Sequence, residues 1–558
     1  MTESVWRRPQ VSGLLLAAAG GTLLLAPNEP RWLALTGFVG LLLLCESLEL
    51  VHGRLLRAAL SGLVFGTCAN ATALFSVIGL LGSFGRLPAW LATALALLLW
   101  LAQGLVFGFA GALHGYLRKR GTASWLAFPL ALTASLGLLP TLFPWHVAAT
   151  QVGFLTFVQL ADVGGETLIG LLLALVVSAT HALFRAPRAQ DTTRLHGRAW
   201  RAGLALSALL LPLAYGVVRL PQVRELRAQA DTLAVGVVQS NVATDDKRLQ
   251  QTDETRARAN LIGLRALTAQ VESQGADLTV WGETAYPYPL RREETRAPTD
   301  VRRVLGPDVH GPILLGLETY RGFGQSASKY NSAWLLGRDG TLAQRVDKTR
   351  LLAFGEYIPL WDLLPPIKRR YASAGFSRGV PGTVQSELGK LGILICYEDL
   401  FADSARATVL LGARALVNLT NDAWFGNSRE PLLHDQLARL RSIELRRDLV
   451  RAVNTGVSSF SSATGEPLVQ TRTFERAAFV AQVRLLDERT FYAQHGDWLL
   501  PLCLLAVALC LLFYNGEVTR PPRPSRQSRA GTHPSARFAS LTKGCWPAWP
   551  PRRKIAAA

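Results

Sequence analysis

The sequence predicts a polytopic α-helical membrane region carrying a large α/β domain outside the cytoplasm. Three observations point there. Hydrophobic residues make up 49% of the 558 residues and are gathered into long runs rather than spread evenly. Between 231 and 490 those runs give way to short β-type stretches alternating with helical ones, the pattern of an α/β domain. The basic residues are distributed unevenly among the loops between the apolar runs, which fixes an orientation.

A helix needs about 20 mainly apolar residues to cross the hydrocarbon core. Eight runs qualify: 11–27, 32–51, 58–83, 89–117, 124–143, 162–184, 203–219 and 498–514. The first follows Arg7 and Arg8 and resembles a signal peptide, but so many runs succeed it that it reads as a retained span. With the N-terminus inside, inner loops hold Arg54, Arg57, Arg118, Lys119, Arg120, Arg185, Arg188, Arg194, Arg198 and Arg201, whereas the first three outer loops hold only Arg31 and Arg86. The positive-inside rule then places both termini in the cytoplasm and the large domain on the outer face. The expected organisation is a membrane region of about seven helices over 1–220, an α/β domain over 221–490, a final span over 491–516 and a disordered basic tail over 517–558. Glu46, Glu49, Asp162, Glu166 and His181 touch the spans, mostly near their ends, where structural placement is favoured over transport.

The formal charge of +19 invites a nucleic-acid reading. Residues 231–490, however, carry 33 Lys+Arg against 30 Asp+Glu. The excess lies in the membrane loops and the tail, so it reflects topology, and no nucleic-acid partner is expected.

In the polar domain, Leu233–Val238, Leu278–Trp281, Ile313–Leu317, Leu391–Ile395, Ala415–Leu419, Leu449–Val453 and Val457–Phe460 read as strands. Ser332–Leu336 and Leu342–Val346 flank the hairpin signal Arg338-Asp339-Gly340. Helices are expected over 254–272 and 432–447, the second with many arginines opposite its apolar face.

Of six cysteines, four lie in apolar runs and Cys545 in the tail; only Cys396 falls within the polar domain. A solitary thiol there is a candidate nucleophile, and no disulfide framework is available. Three segments end a strand in a reactive group: Leu278-Thr-Val-Trp-Gly-Glu283, Val346-Asp-Lys348 leading into Phe354-Gly-Glu356-Tyr-Ile-Pro359, and Leu391-Gly-Ile-Leu-Ile-Cys396-Tyr397-Glu398. A free thiol is mostly protonated at neutral pH, so it needs a base and a cation nearby, which Glu283 and Lys348 can supply. Alone, Cys396 would read as a core residue and Lys348 as a surface lysine. No metal is expected, because His310 and His434 with one cysteine lack ligand spacing. A Cys–His mechanism is disfavoured, since His434 opens a helix where a capping or surface role fits.

Together with Asn418-Leu-Thr-Asn421-Asp422-Ala-Trp424-Phe425-Gly426, these segments resemble the nitrilase superfamily, and with the spans they are similar to the apolipoprotein N-acyltransferase family. The resemblance implies an αββα sandwich and a Glu-Lys-Cys triad: Glu283 as general base, Lys348 as oxyanion stabiliser, Cys396 as nucleophile. It makes Glu356 a supporting carboxylate beside the lysine, and Tyr397 and Glu398 neighbours of the thiol. Asn331 either serves such a site or forms a turn. Trp424 and Phe425 either line an acyl pocket or fill the core. The apolar segment Leu351–Phe376, with Phe354 and Trp361, either dips toward the bilayer or packs inside the domain. The implied reaction needs no cofactor. It moves an acyl chain from a phospholipid, through a cysteine thioester, to the amino terminus of a diacylglyceryl-cysteine lipoprotein at the bacterial inner membrane. The rival expectation is a membrane-tethered amidohydrolase of the nitrilase type.

Overall fold

The computed structural model describes residues 9–513 apart from 52, 84, 186–191, 325–326 and 358–374. Helix forms at each of the eight apolar runs, but their lengths differ. Pro30–Leu50, Ala89–Lys119, Ala161–Arg185 and Trp200–Gln229 are long and apolar enough to cross a membrane. The third run is bent by 58° between Leu55–Ala73 and Val77–Ser83. Gln10–Leu24, Ser124–Leu138 and Leu499–Phe513 are shorter. Among the described residues, then, four of the eight runs are helices long and apolar enough to cross a membrane, or five with the bent pair. Pro140 and Pro144 end the fifth run early, since proline lacks the N–H that a helix interior needs. At the bend in the third run, the carbonyl of Leu74 accepts the Trp100 indole N–H at 3.2 Å.

Small residues let the helices touch closely. A Cβ on Gly62 would lie 1.9 Å from the Phe107 carbonyl oxygen, and one on Gly111 would lie 2.2 Å from that of Ala58. Backbones this close are the usual means of joining helices in lipid, where apolar side chains gain little from one another.

The polar domain holds thirteen strands among the described residues: β1 Thr232–Gln239, β2 Leu278–Trp281, β3 Leu290–Arg291, β4 Ile313–Arg321, β5 Ser328–Leu336, β6 Leu342–Asp347, β7 Thr383–Gln385, β8 Lys390–Ile395, β9 Ala415–Thr420, β10 Leu449–Val453, β11 Ser459–Ser461, β12 Pro467–Gln470 and β13 Ala477–Arg484. They form two mixed sheets, in the orders β13-β1-β2-β4-β5-β6 (with β3 beside β4) and β12-β11-β10-β9-β8-β7. Inward residues such as Val235, Val237, Val280, Leu314, Ile393, Val417 and Val450 close the space between them. The helix Glu254–Ser273 covers the first sheet through Leu261, Leu264 and Val271. Ala402–Leu410 and Glu430–Leu445 cover the second through Ala405, Ala438 and Leu445. The layers are thus helix, sheet, sheet, helix, the expected sandwich.

The arginine-rich helix Glu430–Leu445 is not solvated on its far side. Fourteen of its 16 residues are buried, because that side faces the membrane region. Arg441 pairs with Glu166 at 2.8 Å. Arg446, in the left-handed conformation just past the helix, pairs with Asp162 at 2.8 Å and donates to the Gln159 side chain at 2.7 Å. The other span-associated charges also have partners: Glu46 meets His181 and Arg185, while Glu49 meets His114 and Arg118.

Candidate active site

Three strand ends converge where the two sheets meet. Glu283 follows β2, Lys348 follows β6, and Cys396 follows β8 from the opposite sheet. The Lys348 ammonium is buried, 1% exposed, and donates to Glu283 Oε1 at 3.0 Å and to Glu356 Oε1 at 2.8 Å. Asn331 Nδ2 bridges the same two oxygens, at 2.6 Å and 3.2 Å. Asn331 is therefore a strand residue of β5 serving the carboxylates, and the turn alternative falls. Glu356 reaches this point because Leu352 N–H holds its second oxygen at 2.8 Å, curling the loop back on itself.

Cys396 is half-buried and adopts φ +59°, a left-handed backbone that is strained for any residue but glycine. It starts a short 3₁₀ turn, Cys396–Leu400. Its carbonyl is held by Asn418 Nδ2 at 2.8 Å. Glu398 fixes the turn from within. Its carboxylate accepts from Thr349 N–H and Oγ1 (both 2.6 Å), Arg350 N–H (2.9 Å) and Ile395 N–H (2.8 Å). All four donors belong to the chain beside Lys348 and Cys396, so Glu398 braces the site. The Tyr397 ring centroid lies 5.6 Å from Lys348 Nζ, within cation–π range.

The electrostatics define the resting protonation. Burial pushes the Cys396 thiol well above its ordinary range, the Glu283 charge pushes it further, and Lys348 pulls it back only in part. Burial alone would lower Lys348, but Cys396, Glu283 and Glu356 together hold it well above the usual lysine range. At neutral pH the site therefore holds a thiol beside an ammonium ion.

Of the expected acyl-contacting residues, Phe354 is 75% exposed at a loop tip and Trp424 is 38% exposed, so neither fills the core. Phe425 is half-buried beside Trp424 in the turn Asp422–Phe425, and Trp361 lies outside the described residues. A cavity of about 330 Å³ lined by Leu233, Asp277, Leu278, Leu335, Arg338 and Val384 sits at the opposite edge of the sheets, away from the thiol.

Two residues near the site escaped the sequence reading. Lys247 donates to the Glu283 carbonyl at 3.0 Å and to Thr284 Oγ1 at 3.3 Å. Thr284 has φ +47°, so this lysine secures a strained corner just after the carboxylate. Burial brings Lys247 down to about 8, against the Glu283 and Glu318 charges. Nothing in its polar helix signalled this. The second is His434, expected to cap a helix or face solvent. It is buried between Asp399 and Asp422, because helix Glu430–Leu445 turns that side toward the turn Cys396–Leu400. Among the described residues no group of His, Cys, Asp and Glu could hold a metal ion.

Comparison with known proteins bears on both regions. Residues 235–491 match the Carbon-nitrogen hydrolase family, and residues 12–179 match the Apolipoprotein N-acyltransferase N-terminal domain. Among solved structures, an amidase from Nesterenkonia sp. is similar at 17% identity and a TM-score of 0.32, over 48% of this chain and 94% of that one. An apolipoprotein N-acyltransferase of Geobacter metallireducens is 30% identical over 89% of this chain and 93% of its own length. One from Gloeobacter violaceus is 33% identical over 91% and 95%. Similarity that covers both the apolar helices and the sandwich makes this a membrane-bound acyltransferase, and the chain belongs to the apolipoprotein N-acyltransferase family.

Proposed function

We propose that the sandwich transfers an acyl chain from a phospholipid to the amino-terminal amine of a diacylglyceryl-cysteine lipoprotein, with Cys396 as nucleophile, Glu283 as general base and Lys348 as oxyanion stabiliser. The observation that carries this reading is the Lys348 ammonium, buried between two carboxylates and beside the turn that begins at Cys396.

Because the resting thiol is protonated, attack and proton removal go together. Glu283 takes the Cys396 proton as sulfur adds to the ester carbonyl of the donor. The oxyanion forms beside Lys348, a placement whose loss typically costs ~10²–10³ in rate. Collapse expels the lysophospholipid alkoxide, which receives the proton from Glu283, and a thioester remains. The acceptor amine then attacks the thioester, Glu283 takes the amine proton, and the sulfur leaves to be reprotonated. Two half-reactions at one cysteine give ping-pong kinetics.

Both substrates are held in a bilayer, and extracting an acyl chain would cost ~0.8 kcal/mol per CH₂. A site carried on membrane helices removes that cost. Loop charge asymmetry supports an eight-span arrangement of about seven helices over 1–220 and one over 491–516, both termini cytoplasmic, with residues 221–490 on the periplasmic face of the inner membrane. Exposed Phe354 and Trp424, with half-buried Phe425, are suited to contact the acyl chain.

The test is mass spectrometry of the full chain incubated with a labelled phospholipid. We expect an acyl adduct on the Cys396 peptide, released by hydroxylamine or acceptor amine and lost in Cys396→Ala. An adduct that survives Cys396→Ala, or free fatty acid as sole product with acceptor present, would overturn the reading.

A further inference from the structure

Behind the nucleophile lies a buried charge cluster that these steps do not use. Asp399, on the turn Cys396–Leu400, meets His434 Nε2 at 2.8 Å and Arg451 Nε at 3.0 Å. His434 Nδ1 meets Asp422 Oδ1 at 3.1 Å, and Asp422 opens the turn that carries Trp424 and Phe425. On the far side Arg451 approaches Asp435 at 3.5 Å, and Arg439 approaches it at 3.8 Å. All six groups are nearly or fully buried. Glu430, on the same helix, points instead to Ser76 and Ser428. Three carboxylates thus face two arginines and one imidazole.

A carboxylate accepts and does not donate, so both ring nitrogens of His434 must carry hydrogen to satisfy Asp399 and Asp422 together. That species is the imidazolium, and it balances the cluster's charge. Burial works against it, but the two aspartates outweigh burial and the opposing Arg451 charge, and raise His434 to about 9.

We propose that His434 is a positioning residue for acyl transfer: its imidazolium ties the turn bearing Cys396 to the turn bearing Trp424 and Phe425, so that thiol and aromatic pair move as one body. The proposal rests on Cys396 being the nucleophile. Two observations make the tie consequential. First, the left-handed backbone of Cys396 is strained and persists only where surrounding contacts over-determine it. Asp399, three residues on, is one such anchor. Second, the Asp422 charge bears on the Cys396 thiol and pushes it up. The second oxygen of Asp422 is buried without a hydrogen-bond partner among the described residues, so His434 is its principal neutraliser. A neutral imidazole would release one aspartate and leave more negative charge opposing the thiolate. Both effects slow the first half-reaction.

The experiment follows single-turnover acylation of Cys396 in the full chain with labelled phospholipid, across pH 6–10, for the native protein, His434→Gln, His434→Ala and Cys396→Ala. His434→Ala should slow thioester formation by roughly tenfold to 10²-fold, the scale of a small misplacement. His434→Gln, which still offers a donor, should recover part of that rate at neutral pH. The native rate should fall as pH rises through about 9, where the imidazolium loses its proton, and His434→Gln should lack that fall. Superimposable alkaline limbs in the native protein and His434→Gln would overturn the proposal, as would an unimpaired His434→Ala. If His434→Ala does not fold, the His434→Gln limb decides. An adduct on Cys396→Ala would instead defeat the nucleophile assignment, independently of His434.

Discussion

The Cys396 thiol is harder to ionise than an ordinary cysteine, first through burial and then through Glu283. Replacing Glu283 with Gln removes that second push, so the thiol should ionise at lower pH even as acyl transfer is lost. The check is the pH midpoint of iodoacetamide alkylation of the Cys396 peptide. A midpoint unchanged or raised in Glu283→Gln would contradict the electrostatics described. Glu283, Lys348 and Cys396, which the fold brings together, were legible as a set and not singly, since alone Cys396 reads as a core residue and Lys348 as a surface lysine. Glu356 and Asn331 were legible only through resemblance. Lys247 and His434 were not legible. Their partners lie 36 residues away at Glu283 and 35 away at Asp399, and no local pattern announces a hydrogen bond across such a gap.

Among the elements, the long helices were easily located because composition alone marks them. The early stop of the fifth run at Pro140 and the 58° bend of the third were not, because they act on length rather than on apolarity. Strand β13 was missed altogether, although it pairs with β1 over eight residues from Thr232↔Arg484 to Gln239↔Ala477. Its sequence, Ala477-Ala-Phe-Val-Ala-Gln-Val-Arg484, mixes small, apolar and polar residues without clean alternation. β7, at three residues, is too short to leave any period. The helix contact at Gly62 permits a sharper statement. Gly62→Ala should destabilise the protein in detergent by about 1–3 kcal/mol, because the added methyl would overlap the Phe107 carbonyl. Gly79→Ala, where nothing lies within 4 Å, should leave the melting temperature unchanged or raise it. Equal effects from the two substitutions would refute close backbone packing.

At the scale of the whole molecule, the membrane region and the sandwich meet through buried ion pairs. Asp162 receives Arg446 (2.8 Å), Arg219 (2.9 Å) and the Tyr215 hydroxyl (2.8 Å). Asp162→Ala would leave Arg446, which is fully buried, without its carboxylate, at a cost of about 3–5 kcal/mol. Thermal melting of the full chain checks this, and a variant that melts like the native protein would show the pair to be dispensable. The sandwich was legible as an α/β domain, but its fusion to the helices was not, since Arg441 and Arg446 read in sequence as a polar helix face. That fusion bears on inheritance. A chimera joining the helices of one relative to the sandwich of another must bring the Asp162–Arg446 and Glu166–Arg441 pairs across together, or strand an unpaired ion at the seam.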